Sequence, residues 1–228
     1  YASRVVLPVG TGKVAFATSA LNYFSMVAML GIPTYGIRAC AQVRDDKEKL
    51  SRTTQEIFTI NLVMSVLVYA VFLVTLFTVP KFRADTALMF VMSSTIVFNL
   101  IGMEWLYKAL EQYTYITIRS LIFKALAVVL LFLLVHNPDD YVFYGLTTVV
   151  AASASNIMNL INARKYIFMK PVGGYDFKQH MKPIGVFFAM SVATTIYTNL
   201  DTLMLGFMKG DAETGYYNAA VKVKTIVV

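Results

Sequence analysis

Residues 57–79 read IFTINLVMSVLVYAVFLVTLFTV, an unbroken run without a charged side chain. As an α-helix it is long enough to cross the roughly 30 Å hydrocarbon core of a bilayer. Helix is the form expected, because an isolated strand in lipid would leave its backbone N–H and C=O groups without partners. Runs of the same kind recur at Val14–Ile37, Thr86–Met103, Tyr141–Ala163 and Ile184–Leu200. Two more, Tyr113–Val135 and one beginning near Thr214, are interrupted by Lys or Arg. The pattern predicts an all-α, polytopic membrane protein with seven readable spans, the last cut off. Composition agrees: 57% of the 228 residues are hydrophobic and only 14% charged, against about 25% charged in a soluble domain.

Breakers fall where this division needs them. Pro80 closes one span, Pro138 lies in a short connection, and Pro183 is expected in the first turn of another. Pro33, with Gly31 and Gly36, lies inside the first complete span and predicts a kink near its end. The longest connection, Arg164 to Lys182, is basic and contains Pro171, Gly173 and Gly174. It divides the chain into a first bundle over 1–165, a flexible basic linker over 166–182 and the start of a second bundle over 183–228. Tyr1 is not an initiator and Val228 falls in an apolar stretch, so both ends are expected to be truncated.

The net charge of +7 is spread through the gaps between spans, which argues for membrane topology and against nucleic acid. One set of alternate loops holds Arg38, Arg44, Lys47, Lys49, Arg52, Lys108, Arg164, Lys165, Lys170, Lys178 and Lys182. The other holds only Lys13, Lys81, Arg83 and Lys209, so the first set is expected to be cytoplasmic. The single cysteine, Cys40, cannot form an internal disulfide, and no Cys/His spacing suits a metal. Gly10-Thr11-Gly12-Lys13 lacks the upstream glycine and following hydroxyl of a P-loop. His136 and His180 sit at helix ends, where interfacial roles are expected.

Polar side chains recur at helical spacing inside the spans. They include Asn22, Asn61, Asn159 and Thr198. One such stripe can simply join helices; several together predict a hydrated central cavity. Charges at depth need a partner or water, since each costs at least about 3 kcal/mol on insertion scales. Lys124 is expected near the midplane, Arg119 nearer the cytoplasmic side, and Lys222 and Lys224 interrupt the last span. Hairpin geometry suggests two ion pairs, Glu104–Arg119 and Asp201–Lys222. Cations in a wet cavity favour an anionic cargo.

Leu30-Gly31-Ile32-Pro33-Thr34-Tyr35-Gly36-Ile37-Arg38, followed by Arg44-Asp45-Asp46-Lys47, resembles the second helix and first cytoplasmic loop of the polysaccharide (Wzx-type, O-antigen) flippases. Tyr1-Ala2-Ser3-Arg4 with Gly10, Gly12 and Lys13 is similar to the end of that family's first helix and its outer loop. Glu104-Trp105-Leu106-Tyr107, Tyr115-Ile116-Thr117-Ile118-Arg119, Asp140-Tyr141 and Asn162-Ala163-Arg164-Lys165-Tyr166 resemble its fourth to sixth helices. Asp201-Thr202-Leu203-Met204-Leu205-Gly206 and Gly215-Tyr216-Tyr217 resemble its seventh and eighth. Pro8-Val9 departs from the family's usual Gly-Pro.

The resemblance implies a member of the multidrug/oligosaccharidyl-lipid/polysaccharide exporter superfamily, with two helical bundles around a central cavity. It implies a bacterial cytoplasmic membrane and no covalent chemistry. The implied cargo is an undecaprenyl-pyrophosphate-linked oligosaccharide, turned to the outer leaflet by alternating access. Lys124, Arg119, Lys222 and Lys224 would meet pyrophosphate or acidic sugars, while Arg4 and Arg38 match family positions near helix ends. Glu104 and Asp201 are candidates for proton or sodium coupling, or for the two ion pairs. No cofactor is expected; the partners expected are the bilayer, the lipid-linked sugar and other polysaccharide-assembly membrane proteins. A drug or cation antiporter of the same superfamily would want more membrane carboxylates, and a glycosyltransferase or ligase a large outer loop.

Overall fold

Where the sequence alternates charged turns with apolar runs, the computed structural model forms helices. It describes residues 1–227, with side-chain surroundings through residue 225; Val228, the end of the expected second-bundle segment, lies outside the described residues. The helices are α1 (Ala2–Val5), α2 (Leu7–Met29), α3 (Ile32–Ala41), α4 (Lys47–Thr78), α5 (Pro80–Ala84), α6 (Thr86–Gly102), α7 (Glu104–Ala109), α8 (Tyr113–Leu134), α9 (Tyr141–Val149), α10 (Asn156–Ala163), α11 (Lys178–Met208) and α12 (Asp211–Val227). A π-helical segment, Val150–Ala154, joins α9 to α10. Four stretches are long and apolar enough to cross a membrane: Leu7–Ala41, α4, α8 and α11.

Local chemistry sets the helix ends. Asp46 starts α4 by accepting the backbone N–H groups of Glu48 and Lys49 at 3.0 and 3.1 Å. Those bonds, Lys49's first, hold its carboxyl below the usual aspartate range. Val79 is extended because the ring of Pro80 disfavours a helical residue before it. The kink expected near Pro33 is a full interruption. Leu30 and Gly31 are both left-handed, at φ 47° and 70°, and Pro33 serves the first turn of the resumed helix. Met103, at φ 40°, separates α6 from α7 in the same way.

Several helix boundaries differ from the sequence reading; α4, for one, begins at Lys47, well ahead of the uncharged run that starts at Ile57. α2 begins at Leu7, so Lys13 lies within a helix rather than in a loop. α11 begins at Lys178, leaving Pro183 inside it, where one backbone hydrogen bond is forgone. α12 begins at Asp211, ahead of Thr214. The basic 166–182 connection is also pinned rather than free. Gln55 Nε2 donates to the carbonyls of Phe168 and Lys170 at 2.8 and 2.9 Å, and Ser51 Oγ accepts the Phe168 N–H at 2.8 Å.

The apolar side chains form two cores stacked along the helices. One includes Phe16, Leu21, Phe72, Leu76, Met89 and Val149. The other includes Ile32, Tyr35, Ile57, Trp105, Leu106 and Ile184. Between them lies a polar seam containing Asn61, Ser65, Arg119, Asn156 and Asn159, all buried. The α2–α3 and α6–α7 breaks and the π-helical segment fall at this seam, where carbonyls freed by the breaks find side-chain donors. Asn159 Nδ2, for example, donates to the Gly102 carbonyl at 2.5 Å.

Alternate loops do gather at opposite ends. At the Lys/Arg-rich end Arg44 pairs with Glu111 at 2.7 Å and Lys47 reaches the Lys165 carbonyl. At the other end Lys81 pairs with Asp211 at 2.6 Å and Lys13 with Asp85 at 2.7 Å. Large apolar side chains such as Val66, Val74, Phe77 and Leu133 are exposed along α4 and α8, as a lipid solvent permits.

Candidate translocation cleft

α11 and α12 pack along α2. Between α2–α3 and α11 opens a cleft of about 260 Å³ lined by Asn22, Ser25, Met29, Ser191, Thr195 and Asn199, with neighbours Met26, Gly31 and Pro33. Asn22 Nδ2 donates to Asn199 Oδ1 at 2.8 Å, joining the two walls. Asn199 Nδ2 in turn bonds Thr198 Oγ1 at 2.8 Å. The lining has amides, hydroxyls and thioethers and, among the described residues, no charged group. Such a surface offers both donors and acceptors to a hydroxyl-rich ligand.

The cations named from sequence are dispersed. Arg119 is only 3% exposed, and its Nη1 donates to Asn156 Oδ1 at 3.0 Å and to the Ser155 carbonyl at 3.2 Å. Its Nη2 lies 3.3 Å from Glu104 Oε2, the pairing that hairpin geometry suggests, while Lys108 takes the other Glu104 oxygen at 2.8 Å. Arg119 therefore ties α8 to the seam and is not free for a cargo anion. Lys124 is exposed on α8, five residues on and so about 140° around the helix from Arg119. Lys222 is exposed and reaches Tyr144 Oη at 3.5 Å; Lys224, Arg4 and Arg38 are also exposed.

The Asp201–Lys222 pair does not form. Asp201 Oδ2 accepts from Tyr217 Oη at 2.7 Å instead. Tyr217 and Lys222 lie about 140° apart around α12, so only one can face Asp201. Two proposed cavity amides are buried in the seam rather than lining the cleft. Asn61 Nδ2 meets Met29 Sδ at 3.4 Å and its Oδ1 accepts from Ser65, while Asn159 serves the α6–α7 break. Asn22 lines the cleft; Thr198 stands beside it through Asn199.

Sequence reasoning missed a buried cluster at the Lys/Arg-rich end. Glu56 and His180 are 1% and 3% exposed, with His180 Nε2 2.7 Å from Glu56 Oε2 and His180 Nδ1 2.6 Å from Tyr35 Oη. Glu56 also accepts the Asp176 N–H at 2.6 Å and the Gln179 amide at 3.2 Å. The one available signal was an acidic residue set against the start of the uncharged 57–79 run.

Comparison with known proteins bears on this arrangement. The family described as Polysaccharide biosynthesis protein matches residues 1–228. The chain belongs to that family. It is 25% identical over 227 residues to a Shigella dysenteriae protein that carries the provisional name of O-antigen transporter, a match covering 98% of this chain and 57% of that protein. It is 21% identical over 231 residues to an Escherichia coli (strain K12) protein of the same provisional name, covering 98% and 54%. The chain thus spans little more than half the length of the curated relatives it matches. No solved structure matches it significantly. Family and membrane-length helices together make this a multi-pass membrane protein of a polysaccharide biosynthesis family, in contact with the bilayer.

Proposed function

We propose that the protein turns an undecaprenyl-pyrophosphate-linked oligosaccharide from the cytoplasmic to the outer leaflet of the bacterial inner membrane by alternating access, without covalent chemistry. The observation that carries this reading is the uncharged, amide-lined cleft between α2–α3 and α11 in a member of a polysaccharide biosynthesis family. Amides and hydroxyls suit sugar hydroxyls, and apolar walls let the polyprenyl tail remain in lipid.

In this reading the 166–182 strap marks the boundary between two bundles that move against each other. Pyrophosphate falls to Lys124, Lys222 and Lys224, since Arg119 is already engaged. Coupling to a proton or sodium gradient falls to exposed Asp201 rather than to Glu104, whose two oxygens serve Arg119 and Lys108. Other polysaccharide-assembly membrane proteins would supply and receive the cargo.

The test is transport of a fluorescent lipid-linked oligosaccharide in proteoliposomes holding the intact protein. Asn22→Leu together with Asn199→Leu should lower the initial rate about tenfold, the worth of one or two hydrogen bonds to cargo. An unchanged rate would overturn the cleft assignment. Lys124→Ala should also slow transport; full activity removes Lys124 from the cargo path.

A further inference from the structure

The Glu56 cluster lies outside the cleft and draws on four parts of the chain. Tyr35 comes from α3, Glu56 from α4, the Asp176 N–H from the strap, and Gln179 and His180 from the first turn of α11. Every one of these contacts joins α11 or the strap to α3 or α4. Next to them the same boundary is apolar: Ile184 belongs to the core that holds Ile32 and Tyr35, and Phe187 packs against it. A Cβ on Gly31 would fall 2.5 Å from the Phe187 backbone, so α11 meets the α2–α3 break at close quarters.

The hydrogen bonding is directional. A carboxylate accepts and cannot donate, and Glu56 meets three donors: a backbone N–H, a side-chain amide and an imidazole N–H. In the tautomer whose Nε2–H donates to Glu56, His180 Nδ1 accepts the Tyr35 hydroxyl. The chain therefore runs Tyr35 to His180 to Glu56 with each step satisfied. Separating α11 from α4 would strand the carboxylate and its donors together, a concentrated penalty rather than a gradual one.

We propose that Glu56, His180 and Tyr35 form the latch that closes the Lys/Arg-rich end of the molecule, so that α11 leaves α3 and α4 only when this chain of bonds is broken. Its purpose in a transport cycle rests on the function proposed above; its existence as a latch does not, because it can be read as a distance without cargo.

Spin labels on Lys49→Cys and Lys182→Cys, exposed residues on α4 and α11, would report the latched end of the intact protein in lipid bilayers, in a Cys40→Ala background. Labels on Arg83→Cys and Glu213→Cys would report the opposite end. Glu56→Gln and His180→Gln should each shift the 49–182 distance distribution to longer, broader values and leave the 83–213 distribution in place. The exchanged pair, Glu56→His with His180→Glu, should bring the 49–182 distribution back toward the native one. An unmoved 49–182 distance in both single variants overturns the latch, as does lengthening of both pairs together, which would mean general loosening. Lengthening of the 49–182 pair alone in the single variants, together with no sugar-lipid transport by the unsubstituted intact protein, would sink only the proposed function.

Discussion

The packing of α11 and α12 against α2–α5 is closed by different means at its two ends. At the Lys-poor end closure is spread over many contacts: Gly12 lies against the backbone of Asp211 and Gly215, Gly215 against Pro8, and Gly206 against the Phe16 ring. One partly buried pair, Lys81–Asp211, adds to it. At the Lys/Arg-rich end the strap is pinned to α4 by Gln55 and Ser51, but α11 itself is held by one buried polar network centred on Glu56. A distributed closure loses little when one contact goes, whereas a network with one acceptor for three donors loses all of them at once.

Substitutions can break or sharpen this contrast. Glu56→Ala should have the largest effect, lowering stability by about 3 kcal/mol or more, since three buried donors lose their acceptor at about 1–3 kcal/mol each. Thermal unfolding of the purified protein in detergent would read it, and a loss below about 1 kcal/mol would erase the distinction between the ends. Gly12→Ala places a methyl against the Asp211 backbone and should cost about 1–3 kcal/mol by overpacking. Lys81→Ala should cost less than about 1 kcal/mol in the same assay, because its pair is partly solvated and its neighbours persist.

The smallest effect concerns protons. Asp140 accepts the His136 and Asn137 backbone N–H groups, which hold its carboxyl below the usual aspartate range, His136's first. Its folded value being the lower one, its stabilisation is present above about pH 4 and is lost as pH falls through the folded value. Hydrogen exchange at those two amides should stay slow, after correction for intrinsic rates, down to about pH 4 and quicken only in stronger acid. Loss of protection near neutrality would contradict the arrangement.

The fold was legible wherever lipid imposes a rule. Long uncharged runs became helices, and Lys and Arg sorted to opposite ends, because both follow from solvent rather than from packing partners. Glu104–Arg119 was legible too, since a tight turn fixes which residues share a depth. Depth alone did not suffice for Asp201 and Lys222, where rotation about α12 decides the partner. Asn61 and Asn159 read as cavity residues because a polar side chain in a span looks the same whether it faces water or a broken helix. His180 reads as an interfacial residue because the apolar run begins only at Ile184, whereas the helix begins at Lys178. Its partners sit more than a hundred residues away in sequence.

The π-helical segment at Val150–Ala154 has its own consequence. A π turn holds about one residue more than an α turn, so α10 leaves it rotated by about 100° from where an uninterrupted α9 would carry it. That offset is what aims Asn156 at Arg119 and Asn159 at Gly102. The segment acts as a phase adjuster: trimming one residue from it would turn all of α10 by about 100° and carry Asn156 and Asn159 away from their partners in the seam.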